Sequence, residues 1–327
     1  MSEAAVIQRS KLRAVMPWVH EILVIGVVYM VYSFVRNQFG SATLHKGDAP
    51  VHAFNNAVDI IKVEKAIGMF HEQSIQKWFL GTRWIIQFFN IFYGTAHFIV
   101  TLGILIWLFI RKRSTFARWR TTLMVTTVLA LIGFALFPLM PPRLFNAYAH
   151  PPHCNEHAVG TNPDVCYRYG GGELADELHQ PDYGFVDTLR TVGGLWSFDS
   201  KKLDAVSNQY AAMPSLHIGW STWCMLVMLT FTKKRWAKAL AVAYPILTLT
   251  VIVATANHYI IDAVGGLVIL GAGYLVAAWV ERWRQARTAP TPVEPTAAST
   301  LEDDVAVGGA GGVGGADDVD DVDVVTG

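Results

Sequence analysis

Charge is scarce in this chain of 327 residues: Lys, Arg, Asp and Glu together make up 16%, against 52% hydrophobic residues. That balance excludes an ordinary soluble domain and points to a membrane protein. Cysteine is scarcer still, with three residues. Cys154 and Cys166 share one polar segment, where an extracytoplasmic setting permits a disulfide, and Cys224 falls in an apolar run. Basic residues are missing altogether after Arg287. Nine of the 26 acidic residues lie in 288–327, so 1–287 carries 26 bases against 17 acids behind a net charge of zero. A basic excess suits a protein lying among anionic headgroups. The bases fall in short clusters between apolar runs rather than along one face, which argues against a nucleic-acid partner. No internal repeat of fixed period is present.

What is abundant is long apolar sequence. A membrane-spanning helix needs about 20 mostly apolar residues, and six stretches qualify: 17–35, 84–110, 121–139, 214–232, 236–256 and 259–280. The expected fold class is all-α, a polytopic membrane protein of six transmembrane helices with outer amphipathic helices and a disordered C-terminal tail. The first stretch is long and lacks a small-residue cleavage pattern, so it reads as an anchor rather than a signal peptide. Pro245 is expected to kink the fifth. Basic clusters follow at Arg9/Lys11/Arg13, Arg111/Lys112/Arg113/Arg118/Arg120, Lys233/Lys234/Arg235/Lys238 and Arg282/Arg284/Arg287. Each lies an even number of spans from the next. One topology places all four in the cytoplasm together with both termini, leaving 36–83, 140–213 and the turn near 256–258 outside. The expected location is thus a multi-pass protein of the plasma or inner membrane.

Between the spans, residues 53–80 repeat Phe54, Val58, Ile61, Ile67, Phe70, Ile75, Trp78 and Phe79 at helical spacing, with Asp59, Lys62, Lys65 and Gln76 in the gaps. This reads as one or two amphipathic helices on the outer surface, with Glu64 on the solvated face. The segment 140–213 is long and rich in Pro, Gly and His. The chain beyond 288 is first Pro/Thr/Ala-rich, then Gly/Val/Asp-rich, and is expected to be disordered. The reading divides the chain into 1–50 (anchor and start of the outer loop), 51–287 (a membrane catalytic domain) and 288–327 (the acidic tail).

Three polar sites meet the membrane on the same side: Pro141-Pro142-Arg143, Met213-Pro214-Ser215-Leu216-His217 and Asn257-His258-Tyr259-Ile260-Ile261-Asp262. His258 and Asp262 share a helical face. A carboxylate there fixes one ring nitrogen and leaves the other free to act as a nucleophile. His217 can protonate a leaving alkoxide. Arg143 can clamp phosphoryl oxygens, and Ser215 and Asn257, each beside a helix start, are further candidates for phosphate contact. Asn90, Tyr93 and His97 form one stripe of the second span, read equally as interhelical hydrogen bonding or as substrate contact.

These motifs resemble the type 2 phosphatidic acid phosphatase (PAP2) superfamily, which shares its core with vanadium haloperoxidases. The resemblance looks closest to the branch containing inositol phosphorylceramide synthases, and covers about spans two to six. It implies His258 as the nucleophile that becomes phosphohistidine, Asp262 as its orienting carboxylate and His217 as the acid for the leaving group. The sequence departs from the superfamily pattern at Leu216, where the phosphatases have glycine. Ile252 and Leu136 stand where arginine and lysine would be in the third and first motifs. The implied activity is transfer of a phospho-headgroup from a membrane lipid to an alcohol, or hydrolysis of a lipid phosphate.

Two other readings stay open on the residues alone. His217, His258 and Asp262 are also a two-His-one-carboxylate set able to hold a metal, and His150, His153, Cys154 and His157 are a second dense cluster, read here as a polar loop. The bundle can also be a non-catalytic lipid or anion transporter or binding protein. The preferred reading needs no metal and no cofactor.

Overall fold

The computed structural model describes residues 49–149, 183–194 and 210–288, together with Val19, Leu23, Gly26 and Met30 as isolated helical positions. The rest of the first expected span, the Cys154–Cys166 pair, the His150/His153/Cys154/His157 cluster and the tail from 289 lie outside the described residues. Within them the architecture is all-helical. The exception is an isolated parallel bridge between Leu139 and Ala211.

The amphipathic segment folds as two helices, α1 (Ala49–Ala66) and α2 (Glu72–Leu80). What separates them is Gly68, whose φ of +70° only glycine adopts freely. Around it, Met69 N–H reaches back to the Glu64 carbonyl at 2.7 Å and Gly68 N–H to that of Lys65 at 3.2 Å. This paired pattern closes the carbonyl end of a helix. The expected apolar stripe packs inward at Phe54, Val58 and Ile61, while Ile67 and Trp78 stay exposed. Two polar residues correct the sequence reading. Glu64 is fully buried rather than solvated, and Gln76 is buried as well. Both have partners that are remote in sequence.

Among the described residues, four helices are long and apolar enough to cross a membrane: α3 (Arg83–Arg111), α4 (Arg113–Leu136), and, further along, α8 (Arg235–Ala254) and α9 (Ile260–Thr288). Between these come α5 (Pro142–Ala149), the single turn α6 (Thr188–Thr191) and α7 (Leu216–Phe231), an apolar helix of 16 residues. α3, α7 and α8 bound expected spans to within a few residues, whereas α4 begins eight residues before the third and α9 ends eight residues beyond the sixth. α4 ends at Leu136 because Pro138 biases Phe137 to extended backbone. α7 starts at Leu216 because Ser215 caps it. Pro245 lies inside α8, which runs on through it.

Outward faces carry Phe98, Ile99, Leu102 and Ile106 on α3, Leu240 and Ile246 on α8, and Val268, Leu275 and Trp279 on α9, all exposed. Apolar side chains on the outside suit a lipid solvent. Inside, α7 packs on α3, α4 and α8. It also meets α9 where Gly266 lies against the Ser215 carbonyl and Gly219. The α3–α4 and α7–α8 junctions hold the clusters Arg111/Lys112/Arg113 and Lys233/Lys234/Arg235, so these gather at one end of the bundle. The start of α7, the start of α9 and the end of α4 make the other end. A cleft of about 620 Å³ lined by Arg118, Trp119, Tyr274 and Glu281 opens at the basic end. Tyr274 is some 24 Å along α9 from His258, at 1.5 Å per residue.

Candidate active site

The turn from α8 to α9 delivers His258. α8 closes on Ala256, a residue with a φ of +53°. Ala256 N–H bonds the Val253 carbonyl at 2.9 Å and Asn257 N–H the Ile252 carbonyl at 2.9 Å, the same closure as at Gly68 but built on a residue with a Cβ. A left-handed alanine costs on the order of 1–2 kcal/mol. The Ala256 carbonyl accepts from Arg143 N–H at 2.7 Å, which ties the chain after α4 to this turn.

α9 then begins under three carboxyl groups. Its first backbone N–H groups have no partners within the helix. Asp262 Oδ2 accepts from Tyr259 N–H at 2.9 Å, Glu72 Oε1 from Ile260 N–H at 2.8 Å and Glu64 Oε1 from Ile261 N–H at 2.8 Å. Negative charge is favoured at that end of a helix. Asp262 Oδ2 also lies 3.2 Å from Nδ1 of His258. One carboxylate thus caps its own helix and orients the histidine. Both side chains are buried. With Nδ1–H held by Asp262, the lone pair of the other nitrogen, Nε2, is free for attack.

His217, on the first turn of α7, faces this pair. Its ring centroid is 5.4 Å from that of His258. Tyr93 stacks on it at 4.5 Å, and His97 meets it edge-on at 4.3 Å. His217 Nε2 and His97 Nδ1 are buried without a hydrogen-bond partner. The α7 and α9 backbones are joined where Ser215 N–H donates to the Asp262 carbonyl at 3.0 Å.

Of the expected site residues, the fold brings His258, Asp262 and His217 together, with Tyr93 and His97 alongside. Arg143 is joined to the His258 turn through its backbone. Its guanidinium is held by Asp187 at 3.0 Å, and its Nε is buried and free of a partner. Ser215 is fully buried, and its hydroxyl accepts from Ile218 N–H at 3.5 Å. Asn257 is buried and donates to the Thr255 hydroxyl at 2.8 Å. Asn90 is engaged elsewhere. Its amide N–H₂ donates to the Thr188 and Gly193 carbonyls, and its oxygen accepts from the Thr188 hydroxyl. It pins the 183–194 segment to α3. Gln76 pins the same segment to α2 by exchanging two 2.9 Å bonds with the Val186 backbone.

The two departures from the superfamily pattern have clear settings. Ile252 is fully buried in an apolar cluster with Ile218, Val253 and Ala263. Leu136 is 79% exposed on the outer face of the bundle. Neither position presents a cation to the His258 turn.

The PAP2 superfamily profile matches residues 58–276, about two thirds of the chain. The chain belongs to the PAP2 superfamily. The match runs from α1 to α9 and so takes in both histidines, Asp262 and the three-carboxyl cap. No curated protein and no solved structure matches the chain. Membership of the PAP2 superfamily suggests phosphatase or phosphotransferase activity on phosphate esters, and the four apolar helices suggest a membrane protein. Among the described residues no group of three or more His, Cys, Asp or Glu is arranged to hold a metal ion. Sequence reasoning missed Glu72, Asp187 and the inward role of Glu64. The one signal available was the acid pair flanking Gly68, at the break between two amphipathic runs.

Proposed function

We propose that this PAP2 protein is a phosphotransferase that moves a phospho-headgroup from a membrane lipid to an alcohol through a phosphohistidine at His258. The observation that carries the reading is the buried His258–Asp262 pair at 3.2 Å with the unpartnered Nε2 of His217 in the neighbouring ring. His258 Nε2 attacks phosphorus as the bond to the lipid oxygen breaks. The departing alkoxide takes a proton from His217. In the second half, the acceptor hydroxyl gives its proton to His217 and its oxygen attacks phosphorus. The P–N bond breaks, and its electron pair returns to the His258 ring. Arg143 and the Ser215 hydroxyl supply donors for the phosphoryl oxygens, with Arg143 the stronger because its charge offsets the developing anion, while Asn257 keeps its N–H₂ for the Thr255 carbonyl and hydroxyl.

Transfer is preferred to hydrolysis because the motif residues Ala211 to His217 and Asn257 to Asp262 are similar to those of the inositol phosphorylceramide synthase branch, and because Ile252 removes the arginine typical of the phosphatases. The active site is assigned to the extracytoplasmic face and the basic end to the cytoplasm, on the preference of basic loops for the cytoplasm. The exposed Lys62 on α1 gives a test. Lys62→Cys adds labelling by an impermeant thiol reagent to intact cells, and added labelling only after permeabilisation rejects the orientation.

The activity test uses purified protein with headgroup-labelled phosphatidylinositol and a long-chain alcohol acceptor, and in parallel phosphatidic acid. Label appearing on the acceptor, lost in His258→Gln and His217→Gln, is the expected result. Inorganic phosphate from phosphatidic acid without transfer selects the phosphatase reading. If neither product forms while lipid flux persists in His258→Gln, the bundle is a transporter.

A further inference from the structure

Two carboxyl groups that take no part in this chemistry lie under the nucleophile. Glu64 sits in the last turn of α1 and Glu72 in the first turn of α2, and both are fully buried. The closure at Gly68 turns one helix into the next and brings the two carboxyls within hydrogen-bonding reach. Each gives one oxygen to α9, at 2.8 Å from the Ile260 and Ile261 amides. The other oxygens, Glu64 Oε2 and Glu72 Oε2, are buried with no N–H or O–H to accept from. As two carboxylates they would be adjacent like charges with unsatisfied lone pairs, an arrangement that forces a proton onto one of them. With that proton the Glu64 O–H donates to Glu72, and both leftover oxygens are satisfied.

Every element packed around the pair bears on its charge. Tyr259, just before α9, and Asp262, on its first turn, face it, and Tyr183 lies beside Tyr259. The Lys65 ammonium is engaged by the Tyr183 hydroxyl at 3.0 Å. Asp262, held by His258 at 3.2 Å, is a third buried carboxyl beside the pair, so full ionisation of the pair would crowd negative charge there.

We propose that Glu64 and Glu72 are positioning residues: a carboxyl pair sharing one proton, which grips the Ile260 and Ile261 amides and so fixes the head of α9, with Asp262 on its first turn and His258 just before it. The proposal rests on the reading of His258 as the attacking group. Burial first, then the hydrogen bond and the charge of Glu72, hold the Glu64 carboxyl up at about 9. The proton therefore stays in place through neutral pH and leaves in alkali, when repulsion loosens the head of α9.

The test compares Glu64→Gln, whose amide can both accept from Ile261 and donate to Glu72, with Glu64→Ala, which can do neither. Glu64→Gln is expected to keep turnover within about threefold, and Glu64→Ala to lower kcat by about 10²-fold with KM unchanged, the scale of a misplaced reacting group. The fall of the native rate in alkali is expected to be absent from Glu64→Gln. Infrared spectra at neutral pH are expected to show a protonated carboxyl in the native chain that Glu64→Gln lacks. Should Glu64→Ala fail to fold, the pH profile and the infrared comparison of Glu64→Gln still decide. Equal losses in both variants, or a native chain with no such carboxyl signal, overturn the proposal. If the native chain turns over no phosphate ester, the reading of His258 fails, and the infrared comparison still decides whether the pair shares a proton.

Discussion

The ring of Tyr93 on α3 lies nearly parallel to that of His217 on α7, with centroids 4.5 Å apart and planes at 19°. The proton-transfer role proposed for His217 needs a fixed orientation, which the stack supplies. His217→Gln is expected to lower turnover by about 10²–10⁴-fold, the range of general acid–base contributions. Tyr93→Phe keeps the stacking face and should be near native, while Tyr93→Ala should lose about tenfold as the ring swings free. Steady-state rates on the three variants check this. A native rate in Tyr93→Ala would show that the stack is not what holds His217.

Arg143 and Asp187 form a largely buried ion pair at 3.0 Å. Arg143→Ala should lower kcat/KM by about 10²-fold, the scale of losing one strong donor to a developing anion. Arg143→Lys keeps the charge but not the planar fork, and should recover only part of that loss. Asp187→Ala leaves the guanidinium without its anchor and should act chiefly through weakened binding of vanadate, a phosphate mimic. Vanadate titrations of the three variants measure this. Equal affinity in all of them removes Arg143 from the phosphate contacts.

Gly266 has no room for a side chain, because a Cβ there would run into the Ser215 carbonyl. Gly271, on the same helix, has open space around it. Gly266→Ala should therefore cost about 1–3 kcal/mol as an overpacked contact and lower activity by displacing the Ser215–Asp262 backbone bond. Gly271→Ala should hold or raise stability, since alanine favours a helix by up to about 1 kcal/mol. Thermal unfolding of both variants in detergent makes the comparison.

Stability should also depend on pH with a definite sign. Folding raises the Glu64 carboxyl from its ordinary value of 4.5 to about 9. Within that window the folded chain binds a proton that the unfolded chain has lost, so the Glu64 contribution is complete below the lower value and declines as pH rises through the upper one. The midpoint of thermal unfolding should fall between these limits, and Glu64→Gln should flatten the slope. A slope unchanged in Glu64→Gln would assign the dependence to other groups.

The four helices long and apolar enough to cross a membrane were legible in the sequence because a bilayer demands long apolar runs, and such runs have few other uses. The His258–Asp262 pair was legible because a spacing of four residues is a local relation, although His258 lies in the turn before α9 and not on a shared helical face. The setting of the 53–80 segment was not. Its periodicity marks Phe54, Val58 and Ile61 as facing a core, but no local pattern shows that Glu64, Glu72 and Gln76 meet polar partners more than 100 residues away. A buried carboxylate looks solvated until the amides that satisfy it are known. Asp187 is a similar case, since its partner Arg143 lies 44 residues back, across a stretch with no repeat to guide the eye. Asn90 shows the opposite. Its stripe with Tyr93 and His97 was readable, but the Thr188 and Gly193 carbonyls that occupy its amide belong to a segment without periodicity.

The three-carboxyl cap on α9 also orders events during synthesis. Glu72 and Glu64 are translated 188 and 197 residues before the amides they grip. Until α9 is made, both acids have nothing to cap. His258 and the carboxyl clamp proposed to fix it are completed in the same step, when the head of α9 docks. A chain stopped short of that helix would hold the apolar helices before it but lack Asp262, so on the proposed reading no partly made copy could attack a phosphate ester.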